Sequence, residues 1–170
     1  MTLALFPSEI GWMAAVFSGA TLVRLSFGHP SREKALSTMR AFVAQPARSL
    51  NPTVQRTIES LQAFAAGQGD DLLDIEVDYG PVTAFQQRVL DCCRAIAPGE
   101  TLTYGELAKQ AGAPGAARAV GSVMRRNKLP LVIPCHRVVA SGGSLGGYTS
   151  PQGLKMKLRL LEREGAELVK

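Results

Sequence analysis

The sequence contains few of the residues that bind structural metals or build disulfide networks. It has three cysteines and two histidines among 170 residues. Cys92 and Cys93 are adjacent and the total is odd, so neither a disulfide framework nor a Cys-x-x-Cys metal spacing is present. Because His29 and His136 are the only histidines, we expect no structural zinc site, and we predict free thiols in a reducing compartment.

Long hydrophobic runs are also missing. No stretch approaches the length of a membrane-spanning helix, and residues 1–6 lack the basic start and small-residue cleavage site of a signal peptide. The composition, 46% hydrophobic and 19% charged, is that of an ordinary globular protein. We therefore expect an intracellular, cytoplasmic protein without a membrane partner, folded as one domain or as two small lobes.

Positive charge is in excess, and its position is more informative than its amount. A net charge of +5 is by itself weak evidence for a polyanionic partner. The cations that crowd one short stretch are Arg118, Arg125, Arg126 and Lys128, followed by Arg137. This clustering favours a polyanion-binding surface in the second half of the chain.

The first half has a generic α/β pattern. Asn51 followed by Pro52 is typical of a helix start, because the asparagine caps the first turn and proline fits its first position. Gly80-Pro81 interrupts the pattern, and we place a lobe boundary there. The predicted elements are a hairpin over residues 10–27, helices over 31–43 and 52–66, and a strand over 73–79.

The second half is predicted to be helical. Thr83 with Gln86 can form a capping box, and the helix that follows carries the adjacent cysteines, which we interpret as small core residues. Thr103 with Glu106 can form another capping box. The helix opened there ends at a glycine-rich turn over 112–115, and a further helix follows over 116–126. Two short helices around a tight turn predict a helix-turn-helix, although such hairpins also occur in proteins that bind no nucleic acid.

The helix over 116–126 presents a long cation opposite its core face. At about 100° per residue, Val120 and Met124 fall on one side and Arg118 on the other. Small residues around Arg118 would let the helix approach a surface closely. The alternative is a solvated arginine on an ordinary amphipathic helix. The residues near Arg118 or on its side are Ala117, Ala119, Gly121, Ser122 and Arg125.

Asn127 falls on the core side at the end of this helix. An unpaired amide would cost free energy there, so we expect it to bond to nearby backbone, with residues 131–139 as the nearest candidate. That segment is an apolar strand pattern interrupted by Pro-Cys-His-Arg over 134–137. Reactive residues inside a hydrophobic run are typical of functional sites.

Cys135 and His136 are a candidate nucleophile and base. A thiol reacts as the thiolate, and a neighbouring His or Arg lowers the thiol pKa. Adjacent side chains on a regular strand point to opposite faces, so the pair would require a bend or a bridging water.

The motif over residues 134–138 (PCHRV) resembles the active-site signature of the O6-alkylguanine-DNA alkyltransferases. The similarity extends from about residue 85 to residue 165 and includes 103–108, 116–121 and Asn127. It implies that the chain repairs alkylated DNA by moving an alkyl group onto its own cysteine, once per molecule and irreversibly.

The resemblance also implies a fold. It is α+β, with an RNase H-like N-terminal α/β lobe over residues 1–80. A helical C-terminal lobe over residues 81–170 carries the helix-turn-helix, the DNA-binding surface and the alkyl-transfer site.

Within the site, the resemblance assigns a role to each of five residues. It implies that Cys135 accepts the alkyl group, that His136 is its general base through a water molecule, and that Glu164 orients the histidine. Asn127 is implied to tie the recognition helix to the active-site segment. Tyr104 is implied to help extrude the nucleotide and to donate to N3 of the base.

The implied partner is double-stranded DNA containing O6-alkylguanine, approached through the minor groove by a monomer without metal or organic cofactor. Arg118 would replace the flipped guanine in the base stack. The DNA-facing neighbours of Arg118 would be Ala117, Ala119, Gly121, Ser122 and Arg125. The base pocket would include Val138, whose carbonyl accepts from the guanine amino group as that of Cys135 does, with Tyr148 and Thr149 as pocket wall.

The resemblance weakens in the loop over 148–153, which is two residues longer than is usual in the family and carries a proline. By angle, Glu162 and Glu164 flank the apolar stripe of the last helix equally. Spacing therefore leaves both open as the acid, and the resemblance alone favours Glu164. The predicted apolar stripe consists of Leu154, Leu158 and Leu161.

Two other functions compete with alkyl transfer. A non-catalytic module that marks alkylated bases would share the helices, but family members of that kind lack the acceptor cysteine, which is present here as Cys135. A cysteine hydrolase could use Cys135 and His136, but it leaves Arg118 on its helix unexplained.

Overall fold

The computed structural model describes residues 1–42, 46–68 and 71–167. Its architecture is mixed α/β, and the chain divides into two compact units, Met1–Gly80 and Pro81–Lys170. Across the described residues, no helix combines the length and apolar character needed to cross a membrane. The elements in chain order are β1 (Thr2–Phe6), β2 (Trp12–Ser18), β3 (Thr21–His29), α1 (Arg32–Met39), α2 (Pro52–Ala65), α3 (Ala84–Arg94), β4 (Leu102–Thr103), α4 (Tyr104–Gln110), α5 (Ala117–Arg125), β5 (Val138–Val139) and α6 (Gly153–Arg163), with 3-10 turns at Cys135–Arg137 and Ser141–Gly143.

The N-terminal unit is built on an antiparallel sheet with strand order β1-β2-β3. The predicted hairpin is confirmed as β2 and β3, whereas β1 was not predicted. Gly11 adopts a φ of 106°, and a Cβ at this position would lie 2.9 Å from the carbonyl carbon of Gly28 and from the carbonyl oxygen of His29. Only glycine fits this entry into β2, because the neighbouring backbone fills the space of a side chain.

Helices α1 and α2 begin where the sequence predicts. The side chains of Ser31 and Asn51 cap them by accepting from the backbone N–H of Lys34 and Val54. Helix α1 is shorter than predicted: it ends at Met39, and the predicted end at residue 43 lies outside the described residues. A cluster of apolar side chains packs α1 against the sheet: Leu3, Ala14, Val16, Ala35 and Met39.

The predicted strand over 73–79 is wrong. The chain turns at Leu72, which has a φ of 61°, and only one parallel bridge, between Leu22 and Val77, joins this segment to β3. Two hydrogen bonds make the bridge, from Leu22 N–H to Glu76 C=O (2.9 Å) and from Asp78 N–H to Leu22 C=O (3.0 Å). The turn before the bridge and Gly80-Pro81 after it leave too few extended residues for a ladder.

The C-terminal unit contains helices α3 to α6. Both predicted capping boxes are confirmed, at Thr83 with Gln86 and at Thr103 with Glu106. On α3, Cys93 is fully buried as predicted, whereas Cys92 is only partly buried.

Strands β4 and β5 form a short parallel pair that sets the position of α4. Leu102 pairs with Val138, and Thr103 pairs with Val139. Because α4 begins at Tyr104, directly after β4, this pairing places Tyr104 beside the segment that carries Cys135.

Helix α6 is rotated relative to the predicted stripe. Leu154 is 48% exposed, so its inward placement is wrong, and Leu158 is only partly buried. The buried residues are Met156, Lys157, Leu160 and Leu161. Lys157 lies among these buried residues, so the buried face of the helix is not the one that the leucines alone indicate.

Candidate active site

A cavity of about 760 Å³ opens in the C-terminal unit. Its walls come from the start of α4, from one face of α5, from Cys135 and from the loop over 140–149. The predicted site residues that line it are Tyr104, Ala117, Arg118, Gly121, Ser122, Arg125, Asn127, Cys135, Tyr148 and Thr149. The predicted residues that lie away from the lining are Ala119, His136, Val138 and Glu164.

The segment over 131–139 is not the strand that its apolar pattern predicts. Cys135–Arg137 forms a 3-10 turn, and only Val138–Val139 is extended. Backbone hydrogen bonds tighten the turn, from Cys135 N–H to Ile133 C=O (2.7 Å) and from Arg137 N–H to Pro134 C=O (2.8 Å). Pro134 favours this bend because its ring fixes φ and it cannot donate to a strand ladder. The turn removes the strand geometry that would send Cys135 and His136 to opposite faces.

Asn127 bonds to this segment as the sequence predicts. Its Nδ2 donates to the carbonyl of Ile133 (2.8 Å), and its Oδ1 accepts from the N–H of Leu129 (2.9 Å). Its side chain also hydrogen-bonds the sulfur of Cys135, an interaction that favours the thiolate. One amide therefore joins the end of α5 to the backbone before Cys135 and to the sulfur itself.

His136 is fully buried, and its imidazole is held by a carboxylate. Its Nε2 lies 2.8 Å from Oε1 of Glu164. Because a carboxylate oxygen only accepts, Nε2 carries the hydrogen, and in the neutral ring Nδ1 then has the lone pair. Burial lowers the pKa of His136 below its usual value, although the hydrogen bond to Glu164 opposes this shift. The ring is therefore neutral, and the lone pair on Nδ1 can act as a base.

Glu164 also binds Arg137, an arrangement that the sequence did not indicate. Arg137 Nε donates to Oε2 (2.9 Å), and Nη2 donates to Oε1 (2.8 Å). Nη1 donates to the carbonyl of Ile96 at the end of α3. Arg137 is 0% exposed, so its assignment to a solvent-facing basic cluster is wrong. Its planar guanidinium instead joins the 3-10 turn to the ends of α3 and α6.

The geometry distinguishes the two candidate acids. Glu164 contacts the histidine, whereas Glu162 is exposed. Burial raises the pKa of Glu164, but hydrogen bonds from His136 and Arg137 outweigh it and lower this pKa to about 2. The carboxylate is therefore ionised throughout the physiological range.

The thiol of Cys135 lies at the cavity wall. Burial raises its pKa above the usual value, which corrects the expectation of a pKa lowered by neighbouring cations. The hydrogen bond from Asn127 and the charge of Lys157 act in the opposite direction without reversing the shift. The resting group is therefore a protonated thiol, so its reaction requires a base.

Tyr104 is enclosed by the glycine-rich loop. A Cβ on Gly146 would lie 3.0 Å from Cε2 and 3.1 Å from the hydroxyl oxygen of Tyr104, so a side chain would displace the ring. Burial and the charge of Cys135 raise the pKa of Tyr104, and a backbone hydrogen bond from Gly147 partly opposes the shift. The hydroxyl stays protonated and can donate into the cavity.

On α5 the expected division of faces is confirmed. Val120, Val123 and Met124 are buried. The outward residues Arg118, Ser122 and Arg125 are exposed and border the cavity.

Two residues of the pocket have contacts that the sequence did not foretell. The carbonyl of Val138, predicted to accept from guanine, already accepts from Nζ of Lys157 at 2.6 Å. The carbonyl of Cys135 accepts from the N–H of Val138. Each carbonyl oxygen has a second lone pair, so these bonds do not use up its capacity to accept hydrogen bonds. Lys157 escaped prediction because a lysine in a helix is ordinarily solvated; its place within an otherwise apolar stripe was the available signal.

Comparison with known proteins places this geometry in a family. The family model of the 6-O-methylguanine DNA methyltransferase DNA-binding domain matches residues 84–166. The methylated-DNA–protein-cysteine methyltransferase of Methanothermobacter thermautotrophicus is 44% identical over 115 residues, which are 68% of this chain and 63% of that protein. Its counterpart in Mycobacterium leprae is 46% identical over 114 residues, 67% of each chain.

The likeness to solved structures extends through both units. A crystal structure of the Mycobacterium tuberculosis protein OGT in complex with DNA superposes with a TM-score of 0.78 at 35% identity, covering 96% of this chain and 93% of that chain. The sequence match, in contrast, spans less than two thirds of the Methanothermobacter relative. The chain belongs to the methylated-DNA–protein-cysteine methyltransferase family.

Proposed function

We propose that this chain repairs DNA by transferring the alkyl group of O6-alkylguanine to the sulfur of Cys135, once and irreversibly. The observation that carries the proposal is the arrangement around Cys135. Its thiol borders a cavity, and the adjacent His136 is fixed by an ionised carboxylate at Glu164. Related proteins named methylated-DNA–protein-cysteine methyltransferases support the same activity.

The reaction is a displacement at the alkyl carbon. The proton of the Cys135 thiol passes to Nδ1 of His136 through a water molecule, and Glu164 stabilises the imidazolium that forms. The sulfur–carbon bond forms as the O6–carbon bond breaks, and the bonding pair of the broken bond stays on the base. A hydrogen bond from the Tyr104 hydroxyl to N3 stabilises the negative charge that builds on the base. The proton held by His136 then returns through water to N1, so guanine is restored in its normal 6-oxo form and Tyr104 keeps its proton; the thioether does not hydrolyse.

The cavity has the features required for a base that has left the duplex. Its volume, about 760 Å³, suits a flipped nucleotide, and the Tyr148 ring and Thr149 contribute to its wall. The carbonyls of Cys135 and Val138 would use their second lone pairs to accept from the guanine amino group. A base held in this way has its alkyl carbon next to the sulfur.

The exposed face of α5 is the proposed DNA surface. Helices α4 and α5 with their glycine turn would act as a helix-turn-helix that approaches the minor groove, with Arg118 filling the gap left by the extruded base. The small residues Ala117, Ala119 and Gly121 permit close approach. The N-terminal unit would be the RNase H-like lobe, and the protein would act as a cytoplasmic monomer.

Incubation with duplex DNA carrying methyl-labelled O6-methylguanine tests the proposal. We expect label on the protein to saturate at one methyl group per chain, on the peptide that contains Cys135. Cys92→Ser is the matched control, because it removes a partly buried thiol of the same unit and should leave transfer intact. Cys135→Ser should abolish transfer, yet keep an affinity for DNA that falls steeply with salt because phosphate contacts release counterions.

Other outcomes identify the competing functions. DNA binding without transfer by the wild type would indicate a module that marks damage. Repeated turnover, or label on Cys92 or Cys93, would contradict single-use transfer to Cys135. Absence of both binding and transfer would leave the cysteine hydrolase.

A further inference from the structure

Lys157 is a buried cation that the proposed reaction leaves without a role. It lies on α6 and is 0% exposed. Its Nζ donates to the carbonyl of Val138 (2.6 Å) and to the carbonyl of Gly147 (3.3 Å). Within the described part of the chain, no carboxylate lies within salt-bridge distance of this ammonium.

A lysine in this position is costly. Burying an ammonium is strongly unfavourable, and two neutral carbonyl dipoles offset this cost only in part. Burial accordingly lowers the pKa of Lys157 to about 8. An apolar side chain of similar length would avoid the penalty. A counter-charge that forms only in some states of the site would offset this cost.

The groups around Lys157 identify that counter-charge. Its titratable neighbours come from three elements: Cys135 and His136 in the 3-10 turn, Cys93 on α3 and Tyr148 in the loop. Cys93 and Tyr148 are both buried groups whose pKa values burial raises well above the usual range, so both stay neutral. Of these neighbours, Cys135 is the one that becomes anionic during the proposed reaction.

The two hydrogen bonds of Lys157 also order the cavity wall. Val138 directly follows the 3-10 turn, and Gly147 directly precedes Tyr148. Nζ lies 5.9 Å from the centroid of the Tyr148 ring. Gly147 in turn hydrogen-bonds Tyr104 through its backbone. One ammonium thus connects the segment after the nucleophile to the loop that closes the cavity.

We propose that Lys157 is a positioning residue for alkyl transfer, the internal counter-charge that stabilises the Cys135 thiolate while holding the glycine-rich loop against the nucleophile's segment. The inference rests on the proposed function, since it takes Cys135 as the acceptor. It adds a second source of thiolate stabilisation to the His136–Glu164 pair.

Carbamidomethylation of Cys135 by iodoacetamide, with loss of iodide, measures the thiolate without DNA. In Lys157→Met, which keeps the side-chain length and removes the charge, we expect the rate at neutral pH to fall about tenfold or more, because an opposite charge of this kind shifts a pKa by about one to three units. The pH profile should move to higher pH. Lys155→Met, an exposed lysine on the same helix, should retain the wild-type profile.

A reciprocal measurement requires no lysine variant. Coupling between two charges acts equally on both, so an anion at position 135 must raise the pKa of Lys157. Cys135→Asp places a carboxylate there, and the side-chain NMR titration of Lys157 should shift to higher pH in this variant relative to Cys135→Ser, which has no charge at that position. This comparison decides the question if Lys157→Met does not fold.

Three results separate this inference from the proposed function. A folded Lys157→Met protein with the wild-type iodoacetamide profile would overturn the inference, as would identical Lys157 titrations in Cys135→Asp and Cys135→Ser. Either result together with normal methyl transfer would leave the proposed function standing. Coupling between the two groups in a protein that fails to transfer methyl groups would instead overturn the proposed function.

Discussion

The two units bury polar side chains in different ways. In the described part of the N-terminal unit, the buried polar residues are His29 and Thr57, and each bonds within its own element, to Ser26 and to the Thr53 carbonyl. In the C-terminal unit they are His136, Arg137 and Lys157, and their partners lie 10 to 41 residues away.

This difference shows what each unit's polar interior does. Local bonds satisfy groups whose burial follows from apolar packing around them. Long-range bonds from charged groups instead hold together segments that would not otherwise meet, at a desolvation cost that a purely structural core avoids. The buried charges of the C-terminal unit thus mark the place where stability and chemistry depend on the same atoms.

The largest expected effect is a difference in stability between substitutions of two glutamates, one in each unit. Glu164→Gln removes the ionised partner of Arg137 and His136, and it should destabilise the C-terminal unit by about 3 kcal/mol, the lower end for a broken buried pair because the carboxylate keeps some solvent contact. Glu59→Gln, at an exposed position on α2, should have almost no effect. Hydrogen exchange should show lost protection only in peptides from residues 81–170. Equal loss of protection in peptides from residues 1–80 would contradict the inference that buried charges stabilise the C-terminal unit specifically.

The same carboxylate gives the wild type a defined acid sensitivity. Because the pKa of Glu164 is lowered from 4.5 to about 2, its contribution is fully present above about pH 4.5 and is lost as pH falls toward 2. Glu164→Gln should abolish this part of the pH dependence. An unchanged acid profile in the variant would show that other carboxylates govern it.

A smaller effect is expected on the rate of transfer, and it should differ between substitutions of two arginines, one in each unit. Arg118→Ala should slow transfer from duplex DNA about thirtyfold, because its proposed work is worth about 2 kcal/mol of base extrusion. Transfer from free O6-methylguanine base should be unaffected. Arg24, whose guanidinium lies 3.8 Å from the centroid of the Phe42 ring, is the counterpart in the N-terminal unit.

Arg24→Ala should have the opposite profile. Losing the cation–π contact should cost about 1 kcal/mol of stability in the N-terminal unit, and transfer should stay at the wild-type rate. The fluorescence of Trp12, the single tryptophan, reports unfolding of this unit. If Arg118→Ala instead slows transfer equally from duplex DNA and from the free base, Arg118 takes part in the chemistry.

The smallest effect concerns His29. Burial lowers its pKa below 6.5, so the unfolded chain takes up a proton that the folded unit excludes, and stability falls as pH drops below about 6.5. His29→Asn keeps a polar group beside Ser26 and removes the titration. Urea unfolding followed by Trp12 fluorescence at about pH 7.5 and about pH 5.5 should then differ less than in the wild type. If His29→Asn shows the same difference in stability between the two pH values as the wild type, groups other than His29 cause the pH dependence.

Local signals in the sequence were sufficient for the helix starts. Asn51, Thr83 and Thr103 cap helices because their partners lie three residues away, and the amide of Asn127 found backbone six residues away. The segments over 73–79 and 131–139 were misjudged because an alternating or apolar run does not reveal a turn imposed by tertiary packing.

The charged interior could not be derived from local pattern. Arg137 and Lys157 obtain their partners from distant elements, so the apolar residues near Lys157 in the chain could indicate its burial but no local pattern identifies the partners of either cation. The choice between Glu162 and Glu164 likewise depended on where the 3-10 turn meets the end of α6.

Because β4 pairs with β5 over two residues, the proposed reaction depends on the number of residues in these two segments. Leu102 pairs with Val138 and Thr103 pairs with Val139, and this register fixes the position of Tyr104 relative to Cys135. Inserting or deleting one residue on either strand would move one of these groups by about 3.3 Å relative to the other and reverse the side from which it projects. The loop over 148–153 lies outside this pairing, and it can vary in length while the spacing of the reacting groups is conserved.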